Sequence, residues 1–423
     1  MYFLTPHCPP RRRRALVARC LLILLISGSS ARAFAALGDG LSLKQALALA
    51  LERSPIVVES ALEWRRFQGA AAGVAGILAE NPIVSAEVGP RRDQGWGGNQ
   101  SSVTGRLEQP LDLFGQAGTR RRAAQDLVTA AKARLALARA EVAARVRLVY
   151  AAAQIATVRG ALVEERLANA RRSVEALQLR VKLGASSDID LRLATAETAR
   201  AEAALAQAQV EVSRALVDLR MLLDLPPNAV ARPSDPLLAP PTDVPPLTAD
   251  LLSHHVAVKA IEKRRLAIDS EIARLERERL PRLSLGIAAE RPSDRERFVG
   301  LALSLSPALW RRNQGPLAEA RVERERADYE RTTTLAALER QWTGLREERG
   351  LLAQELRAIE IALQNEEDAR NLVQAGWQAG KFDFLRVLIA ERSVADAKQS
   401  RLALWAELAN NAIEIRRLQG EEP

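Results

Sequence analysis

Two stretches of the chain alternate between apolar and polar residues with period two. The second stretch shows this best, with one apolar face and one small or polar face: Val299, Leu301, Leu303 and Leu305 against Gly300, Ala302, Ser304 and Ser306. Such alternation predicts strands that are apolar on one side. Each stretch holds two strands joined by a polar loop and ends in a proline, Pro110 or Pro307, which has no amide hydrogen to extend a ladder. The sequence therefore predicts β-hairpins at 82–110 and 281–307.

A long helix is predicted after each hairpin. Residues 119–182 contain no proline, and small or apolar residues recur there at spacings of three and four. At a rise of about 1.5 Å per residue, a helix of this length is about 95 Å long. It ends near Gly184, and a second helix starts with Asp188 as its expected N-cap. After the second hairpin, a long helix over 316–379 ends near Gly380 and is followed by a last helix.

The two halves of the chain repeat the same order of elements. Pro82 and Pro281 are 199 residues apart, and Gly184 and Gly380 are 196 residues apart. We interpret this near-constant separation as an internal duplication. The expected divisions are a signal peptide at 1–35, a first repeat at 36–225, a proline-rich linker or equatorial segment at 226–246 and a second repeat at 247–423.

The N-terminus has the pattern of a signal peptide. Arginines at 11–14 precede an apolar run over 15–26, and small residues of the A-x-A type follow at 31–35. The run is too short to cross a bilayer as a helix, and we expect cleavage between Ala33 and Ala36. Removing residues 1–35 lowers Lys+Arg from 61 to 55 against 52 acidic residues, so the formal charge falls from +9 to +3. That balance does not indicate a nucleic-acid partner.

The candidate chemical groups do not form a recognisable active site. His254 and His255 are adjacent and point apart on a helix, whereas the ligands of a metal site must converge. Acidic runs such as 366–368 lie on predicted helices, where solvated faces or ion pairs explain them. The sequence has no phosphate-binding glycine loop and no nucleophile motif. We expect a protein that is not an enzyme and that holds no cofactor or resident metal.

The predicted strands restrict where the protein can act. After residue 35 the sequence has no run of 18 or more apolar residues, so an exported chain of this kind is either soluble or membrane-inserted through strands. Four strands cannot close a membrane barrel, and an open edge in lipid leaves amides unpaired. If the strands enter a membrane, several chains must share one barrel. The alternative is a periplasmic coiled-coil protein, either an adaptor or a scaffold.

Three segments carry a resemblance to a known family. They are the opening helix LSLKQALALA at 41–50, the strand-to-helix passage QPLDLFG at 109–115, and GKFDFLRVLIAER at 380–392. With the order of elements, they resemble the TolC-like outer-membrane efflux proteins, and 380–392 is similar to the cobalt-zinc-cadmium type of heavy-metal efflux members. The motifs are loose, but the resemblance covers nearly the whole chain after the signal peptide. The duplicated architecture is its specific part.

The resemblance implies a mainly α fold with a small β part. It implies long antiparallel helical coiled coils in a trimeric α-barrel, and four strands per chain in a shared twelve-stranded transmembrane β-barrel. Such a protein is the outer-membrane channel of a tripartite efflux system, extends into the periplasm of a Gram-negative bacterium, and contacts outer-membrane lipid. Its expected partners are two further copies, a periplasmic adaptor protein and an inner-membrane pump. The expected cargo is heavy-metal cations, with drugs or other small molecules as the alternative.

The resemblance also implies functional residues at the two helix breaks. In the family these breaks form periplasmic tips that meet the adaptor, and by position the docking residues here are Leu183, Gly184, Ala185, Ala379, Gly380 and Lys381. Glycine lets a partner backbone approach, but it serves equally as a plain turn residue. Some members close the tip with acidic residues six and nine positions beyond the second glycine. This chain has Arg386 and Ile389 there, and Asp190 six positions beyond the first glycine. We hypothesise a gate in which Asp190 and Arg386 form an ion pair.

Overall fold

The computed structural model describes residues 40–74, 80–92, 99–237, 249–293, 296–310 and 312–420. The elements in these ranges are α1 (Leu43–Arg53), α2 (Pro55–Gly73), β1 (Ile83–Arg92), β2 (Asn99–Leu111), α3 (Gln116–Lys182), α4 (Asp188–Leu222), α5 (Ala249–Ser253), α6 (Val256–Arg277), β3 (Arg282–Ser293), β4 (Glu296–Ser306), α7 (Gln314–Gln378) and α8 (Phe384–Gln419). The predicted signal peptide at 1–35 and residues 238–246 of the predicted linker lie outside the described residues.

The chain divides into two compact units. Of the described residues, unit 1 comprises those within 40–50, 146–237 and 354–410, and unit 2 comprises those within 51–145, 249–353 and 411–420. Each unit takes segments from both halves of the chain. The boundaries of the two sequence repeats, 36–225 and 247–423, stay a prediction.

The strands of unit 2 form one antiparallel sheet in the order β1-β2-β3-β4. Cross-strand partners lie on the same face, and one row across all four strands is entirely apolar and exposed: Val84, Leu107, Ile287 and Leu301. The adjacent row lies on the opposite face and is small or polar: Ser85, Arg106, Ala288 and Gly300. The two-faced strands predicted from the period-two pattern are therefore present. A single chain leaves the apolar face of the sheet uncovered.

Gly286 allows the two hairpins to pair closely. A side-chain Cβ at this position would lie 2.3 Å from the carbonyl oxygen of Leu107 and 2.9 Å from Cα of Glu108, both on β2. Backbone atoms cannot move aside as a flexible side chain can, so only glycine fits. On the polar face, Ser304 Oγ donates to the carboxylate of Glu108 at 2.6 Å and links β4 to β2 across β3.

In each connection from strand to helix, a glutamine at the start of the helix accepts a hydrogen bond from a backbone amide. Gln116 Oε1 accepts a hydrogen bond from the amide of Phe114 at 3.1 Å, and Gln314 Oε1 accepts one from the amide of Arg312 at 3.0 Å. The same local conformation is thus built twice, as an internal duplication predicts. β2 ends at Leu111, and β4 ends at Ser306.

In unit 1, the start of the described chain pairs with the segment after α4. Leu41 forms a parallel β-bridge with Pro233, and its amide donates to the carbonyl of Arg232 at 2.7 Å. The buried hydroxyl of Tyr150, on α3, lies 2.8 Å from both the Leu41 carbonyl oxygen and a carboxylate oxygen of Asp235. Burial, followed by the hydrogen bond with Asp235, raises the pKa of Tyr150 to about 12. The described part of the proline-rich segment is therefore fixed to a long helix.

In unit 2, ion pairs join α6 to α7 along their length. Arg324 lies 2.7 Å from Asp269, Arg331 lies 3.0 Å from Glu262, and the same pattern continues at Arg264. These side chains are at least partly exposed, so each pair contributes only about 0.2–1 kcal/mol. The same two helices also share a buried apolar cluster with α8: Val258, Leu338, Trp342, Ile415 and Leu418. The ion pairs set the register of the helices, and apolar burial stabilises their packing.

Among the described residues, one helix, α3, contains a stretch long and apolar enough to cross a bilayer. A third of that stretch is buried within the protein. A core helix of a soluble protein has the same length and composition, so this stretch does not by itself indicate a membrane span.

Candidate functional site at the helix turns

Two helix turns in unit 1 have the same backbone conformation. Gly184 follows α3 with φ of +70°, and Gly380 follows α7 with φ of +73°. In each turn the next amide donates to the carbonyl five residues before it, from Ala185 to Arg180 and from Lys381 to Gly376, both at 2.8 Å. This arrangement satisfies carbonyl groups that a helix end leaves without partners. The backbone alone therefore explains both glycines, whatever else the turns do.

The helices that leave the turns start with different caps. At the first turn, Ser187 Oγ accepts the amide of Ile189 at 3.1 Å, and Asp190 Oδ2 accepts the amide of Ser187 at 3.2 Å, which completes a capping box. The N-cap is Ser187, so the prediction of Asp188 as the cap was wrong by one residue. At the second turn, Asp383 Oδ1 accepts the amide of Arg386 at 3.3 Å.

The three residues of the hypothesised gate lie just beyond these caps. Asp190 and Arg386 occupy the third position of α4 and α8 respectively, and Asp190 is engaged in its capping box. Arg386 lies 3.8 Å from Asp383 and 5.1 Å from the centre of the Phe382 ring. Ile389 is exposed. Within one chain Asp190 and Arg386 contact other groups, and an ion pair between them stays a prediction.

Arg180 joins the two turns. Its Nη1 donates to the carbonyl of Trp377 at 3.0 Å, and its guanidinium carbon lies 4.5 Å from the centre of the Trp377 ring. A cation from the last turn of α3 thereby satisfies a carbonyl at the end of α7, where the helix dipole favours positive charge. Trp377 also packs against Phe384, with ring centres 6.2 Å apart. Sequence reasoning missed both Arg180 and Trp377, because nothing local indicates that they meet.

The turns expose apolar side chains that a single chain leaves uncovered. We call this set the tip patch, and it consists of Leu179, Leu183, Ile189, Phe382, Leu385 and Ile389. The Phe382 ring is held in place over Gly376, where a Cβ would lie 2.3 Å from the ring. Contiguous exposed apolar residues mark interaction surfaces in soluble regions of proteins. Of the predicted docking residues, Leu183 belongs to this patch, and Gly184, Ala185, Ala379, Gly380 and Lys381 lie in the same two turns.

A buried ionic cluster lies behind the turns. The carboxylate of Glu197, on α4, is 2.6 Å from Arg166 Nη2 on α3 and accepts a hydrogen bond from Arg392 Nε on α8 at 3.0 Å. Burial by itself would raise the pKa of Glu197, but the hydrogen bonds from Arg166 and Arg392 outweigh it, so the pKa lies below its ordinary value. Beside the cluster, burial raises the pKa of Glu391. Glu197 therefore stays ionised at neutral pH and links three helices.

One of the two adjacent histidines, His255, caps a helix. His255 Nδ1 accepts the amide of Ala257 at 3.2 Å and caps α6, while Nε2 lies 3.3 Å from the carbonyl oxygen of Arg417. Burial lowers the pKa of His255. Among the described residues, no group of three or more His, Cys, Asp or Glu side chains is arranged to hold a metal ion.

Comparison with known proteins gives three further observations. Residues 46–224 match the family model described as outer membrane efflux protein. The chain is 26% identical over 335 residues to the cobalt-zinc-cadmium resistance protein CzcC of Cupriavidus metallidurans, covering 75% of this chain and 77% of that one. Its fold is similar to that of the outer-membrane channel MtrE of Neisseria gonorrhoeae, with a TM-score of 0.71, 18% identity and coverage of 90% and 89%.

Residues 46–224 of the chain are thus similar to the outer membrane efflux protein family. The outer membrane protein VceC of Vibrio cholerae has the same fold, with a TM-score of 0.70, 18% identity and coverage of 89% of this chain and 96% of that one. At such identity the solved structures establish the fold alone. The chain has the predicted fold class, mainly α with a small β part of four strands, and the same order of elements occurs twice. That prediction is confirmed.

Proposed function

We propose that this protein is the outer-membrane channel subunit of a tripartite efflux system. It acts as a passive exit duct, carries out no reaction and binds no nucleic acid. The observation that carries the proposal is the four-stranded sheet, which exposes an apolar face across every strand and carries mainly small or polar side chains on its other face. A sheet with one apolar and one polar face suits a barrel wall between lipid and a water-filled lumen.

The sheet requires partner chains in order to cross a membrane. Among the described residues, the outer edges of β1 and β4 have no strand partner. Unpaired amides are not tolerated in the hydrocarbon region, and the smallest membrane barrels have eight strands. Three copies of the four strands provide twelve, and we infer a homotrimer in which β1 of one subunit pairs with β4 of the next. The helices extend into the periplasm, since both hairpins connect to them at the same edge of the sheet.

The helix turns are the proposed contact with a periplasmic adaptor, which in turn contacts an inner-membrane pump. The docking residues are Leu183, Gly184, Ala185, Ala379, Gly380 and Lys381. The exposed tip patch supports this role, because an adaptor that covers the patch removes apolar area from water. Beyond the turns, Asp190, Arg386 and Ile389 form the proposed gate, in which Asp190 pairs with Arg386 in the closed channel.

The proposed cargo is heavy-metal cations. Similarity to a protein named for cobalt, zinc and cadmium resistance supports this choice, and drugs or other small molecules are the second candidate. A duct needs no metal-binding cage of its own, because ions that are held tightly do not pass. We further propose that residues 1–35 are removed on export, so that two repeats, 36–225 and 247–423, flank the segment at 226–246.

Membrane fractionation tests the channel proposal. The full-length chain, expressed in a Gram-negative host, is expected in the outer-membrane fraction, to require detergent for extraction, and to migrate as a trimer that dissociates on heating. A soluble monomer in the periplasmic fraction would overturn the proposal and favour a coiled-coil adaptor or scaffold. For the cargo, deletion of the gene is expected to reduce growth in Co²⁺, Zn²⁺ or Cd²⁺. Increased sensitivity to drugs with unchanged metal tolerance would establish the second candidate instead.

A further inference from the structure

The edge of the sheet that joins the helices combines exposed apolar side chains with exposed arginines. β2 and β4 end at this edge, and β1 and β3 begin there. Just past the ends of β2 and β4 lie four exposed apolar side chains, and three exposed arginines lie close to the same edge in sequence. We call these seven residues the collar: Leu113, Phe114, Leu309, Trp310, Arg121, Arg279 and Arg312.

Carboxylates at this edge are already engaged by other arginines. Asp112 binds Arg120 through both oxygens, at 2.5 Å and 2.6 Å. Glu80 lies 3.6 Å from Arg120 and 3.2 Å from Arg282. These ion pairs fix the edge, and they leave Asp112 and Glu80 unable to neutralise the arginines of the collar.

The three collar arginines carry uncompensated charge. Arg121 Nε donates to the carbonyl of Ala117 at 3.3 Å, and Arg312 Nε donates to the carbonyl of Ala308 at 3.1 Å, so backbone oxygens hold both side chains. Among the described residues, no carboxylate forms an ion pair with Arg121, Arg279 or Arg312. Glu278, next to Arg279, pairs instead with Arg274 at 2.6 Å. The collar therefore presents three cationic groups per chain to whatever surrounds it.

The collar lies at the depth of the lipid headgroups if the sheet spans the bilayer. Arg121 is five residues into α3, about 8 Å along its axis. Arg279 is three residues before β3, and Arg312 is two residues before α7. The headgroup region is roughly 5–8 Å thick on each side of the hydrocarbon core. Trp310 is 84% exposed, and aromatic residues at a strand end are typical of this interface.

We propose that the collar binds the headgroups of anionic phospholipids in the periplasmic leaflet of the outer membrane. The inference rests on the proposed channel function, because it requires the sheet to lie in the bilayer. A guanidinium group binds two oxygens of a phosphate diester side by side. The acyl chains of the same lipid cover the apolar collar residues and the apolar face of the sheet. In a trimer, three arginines in each of three subunits surround the barrel.

Native mass spectrometry of the purified trimer tests the proposal. The protein is reconstituted in nanodiscs of phosphatidylethanolamine with a minor fraction of phosphatidylglycerol, and the retained lipids are counted after release. We expect phosphatidylglycerol to be enriched over its bulk fraction. One basic residue near a membrane surface is worth about 1 kcal/mol, so losing one contact lowers that enrichment about fivefold. The variant R121Q/R279Q/R312Q is expected to lose at least that factor, and R121K/R279K/R312K to retain most of it.

A matched control separates local binding from net charge. Arg139, Arg340 and Arg346 are exposed, and Arg139 lies 23 residues into α3, about 35 Å from its start. The variant R139Q/R340Q/R346Q removes the same charge and is expected to keep the enrichment. Equal loss in both glutamine variants, or no enrichment in the parent protein, would overturn the proposal. Failure of the parent protein to enter nanodiscs as a trimer would overturn the channel function as well, so the two failures are distinguishable.

Discussion

Replacing Glu197 is expected to weaken the helix packing behind the turns more than any other single charge removal nearby. The carboxylate is 7% exposed, and it is shared by Arg166 and Arg392 from two other helices. Gln at this position keeps the shape of the side chain and removes the charge. It therefore leaves two arginines in a poorly solvated site without their common counterion.

The size of the effect follows from burial. Removing one partner of a buried ion pair costs about 3–5 kcal/mol. The arginine side chains here are 25% and 38% exposed, so water partly compensates them, and we expect E197Q to lower the free energy of unfolding by about 2–3 kcal/mol. R392Q should cost about 1 kcal/mol, because Glu197 keeps Arg166. R171Q is the matched control, because Arg171 on α3 pairs with Glu202 on α4 but the two side chains are 59% and 52% exposed. We expect R171Q to lower the free energy of unfolding by less than about 0.5 kcal/mol.

Guanidinium unfolding followed by far-UV circular dichroism measures these differences. The detergent-solubilised variants are compared at one protein concentration, because oligomers gain apparent stability with concentration. E197Q, R392Q and the double variant form a double-mutant cycle that isolates the interaction between Glu197 and Arg392. The pKa of Glu197 is depressed, so its stabilisation is full above the ordinary glutamate pKa of about 4.3 and is lost as pH falls through the lower folded value. The difference between parent and E197Q should shrink in that acidic range.

Two results would refute this reasoning. If E197Q is no more destabilised than R171Q, the buried cluster contributes no more than an exposed ion pair. A coupling energy between Glu197 and Arg392 below about 0.5 kcal/mol would show that the contact between α4 and α8 has no energetic importance.

Three further predictions follow from single residues. Y150F should lower the free energy of unfolding by about 1 kcal/mol, measured by the same denaturation assay, because the buried hydroxyl that lies between the Leu41 carbonyl and the Asp235 carboxylate is lost. The stability supplied by His255 should be full above the unfolded histidine pKa of about 6.5 and should decline as the pH falls below it, because protonation of Nδ1 breaks its hydrogen bond with the amide of Ala257. Asparagine keeps an acceptor that does not titrate, so the melting temperature of H255N should not show that decline. G380A should destabilise by about 1–2 kcal/mol because of its positive φ, whereas G344A, in an open helical position, should be neutral or stabilising in the same melts.

The elements of the fold were predictable because their signals are local. Alternation along β4 predicts a two-faced strand whatever the rest of the chain does, and Leu301 and Leu303 do lie on one exposed face. The breaks at Gly184 and Gly380 were predictable because a positive φ favours glycine. The cap at the start of α4 was placed one residue late, because Ser187 and Asp188 are both good capping residues. Two hydrogen bonds decide between them: Ser187 Oγ accepts the amide of Ile189, and Asp190 accepts the amide of Ser187.

The contacts of the candidate site were not predictable, because they join distant parts of the sequence. Arg180 and Trp377 are 197 residues apart, and Glu197 and Arg392 are 195 apart. On a single helix each of these charges looks like part of a solvated face. Which arginine contacts the buried carboxylate depends on how the packed helices are rotated relative to one another. The spacing of residues along one helix does not predict that rotation.

The duplication explains why such contacts arise between corresponding positions. The apolar cluster at the turns includes Leu177 and Val373, which are 196 residues apart, as the two turn glycines are. Glu197 and Arg392 are 195 residues apart, one residue from equivalent positions, and their opposite charges join the two repeats through an ion pair. The repeats are therefore joined both by apolar residues at equivalent positions, such as Leu177 and Val373, and by charges that only one repeat carries.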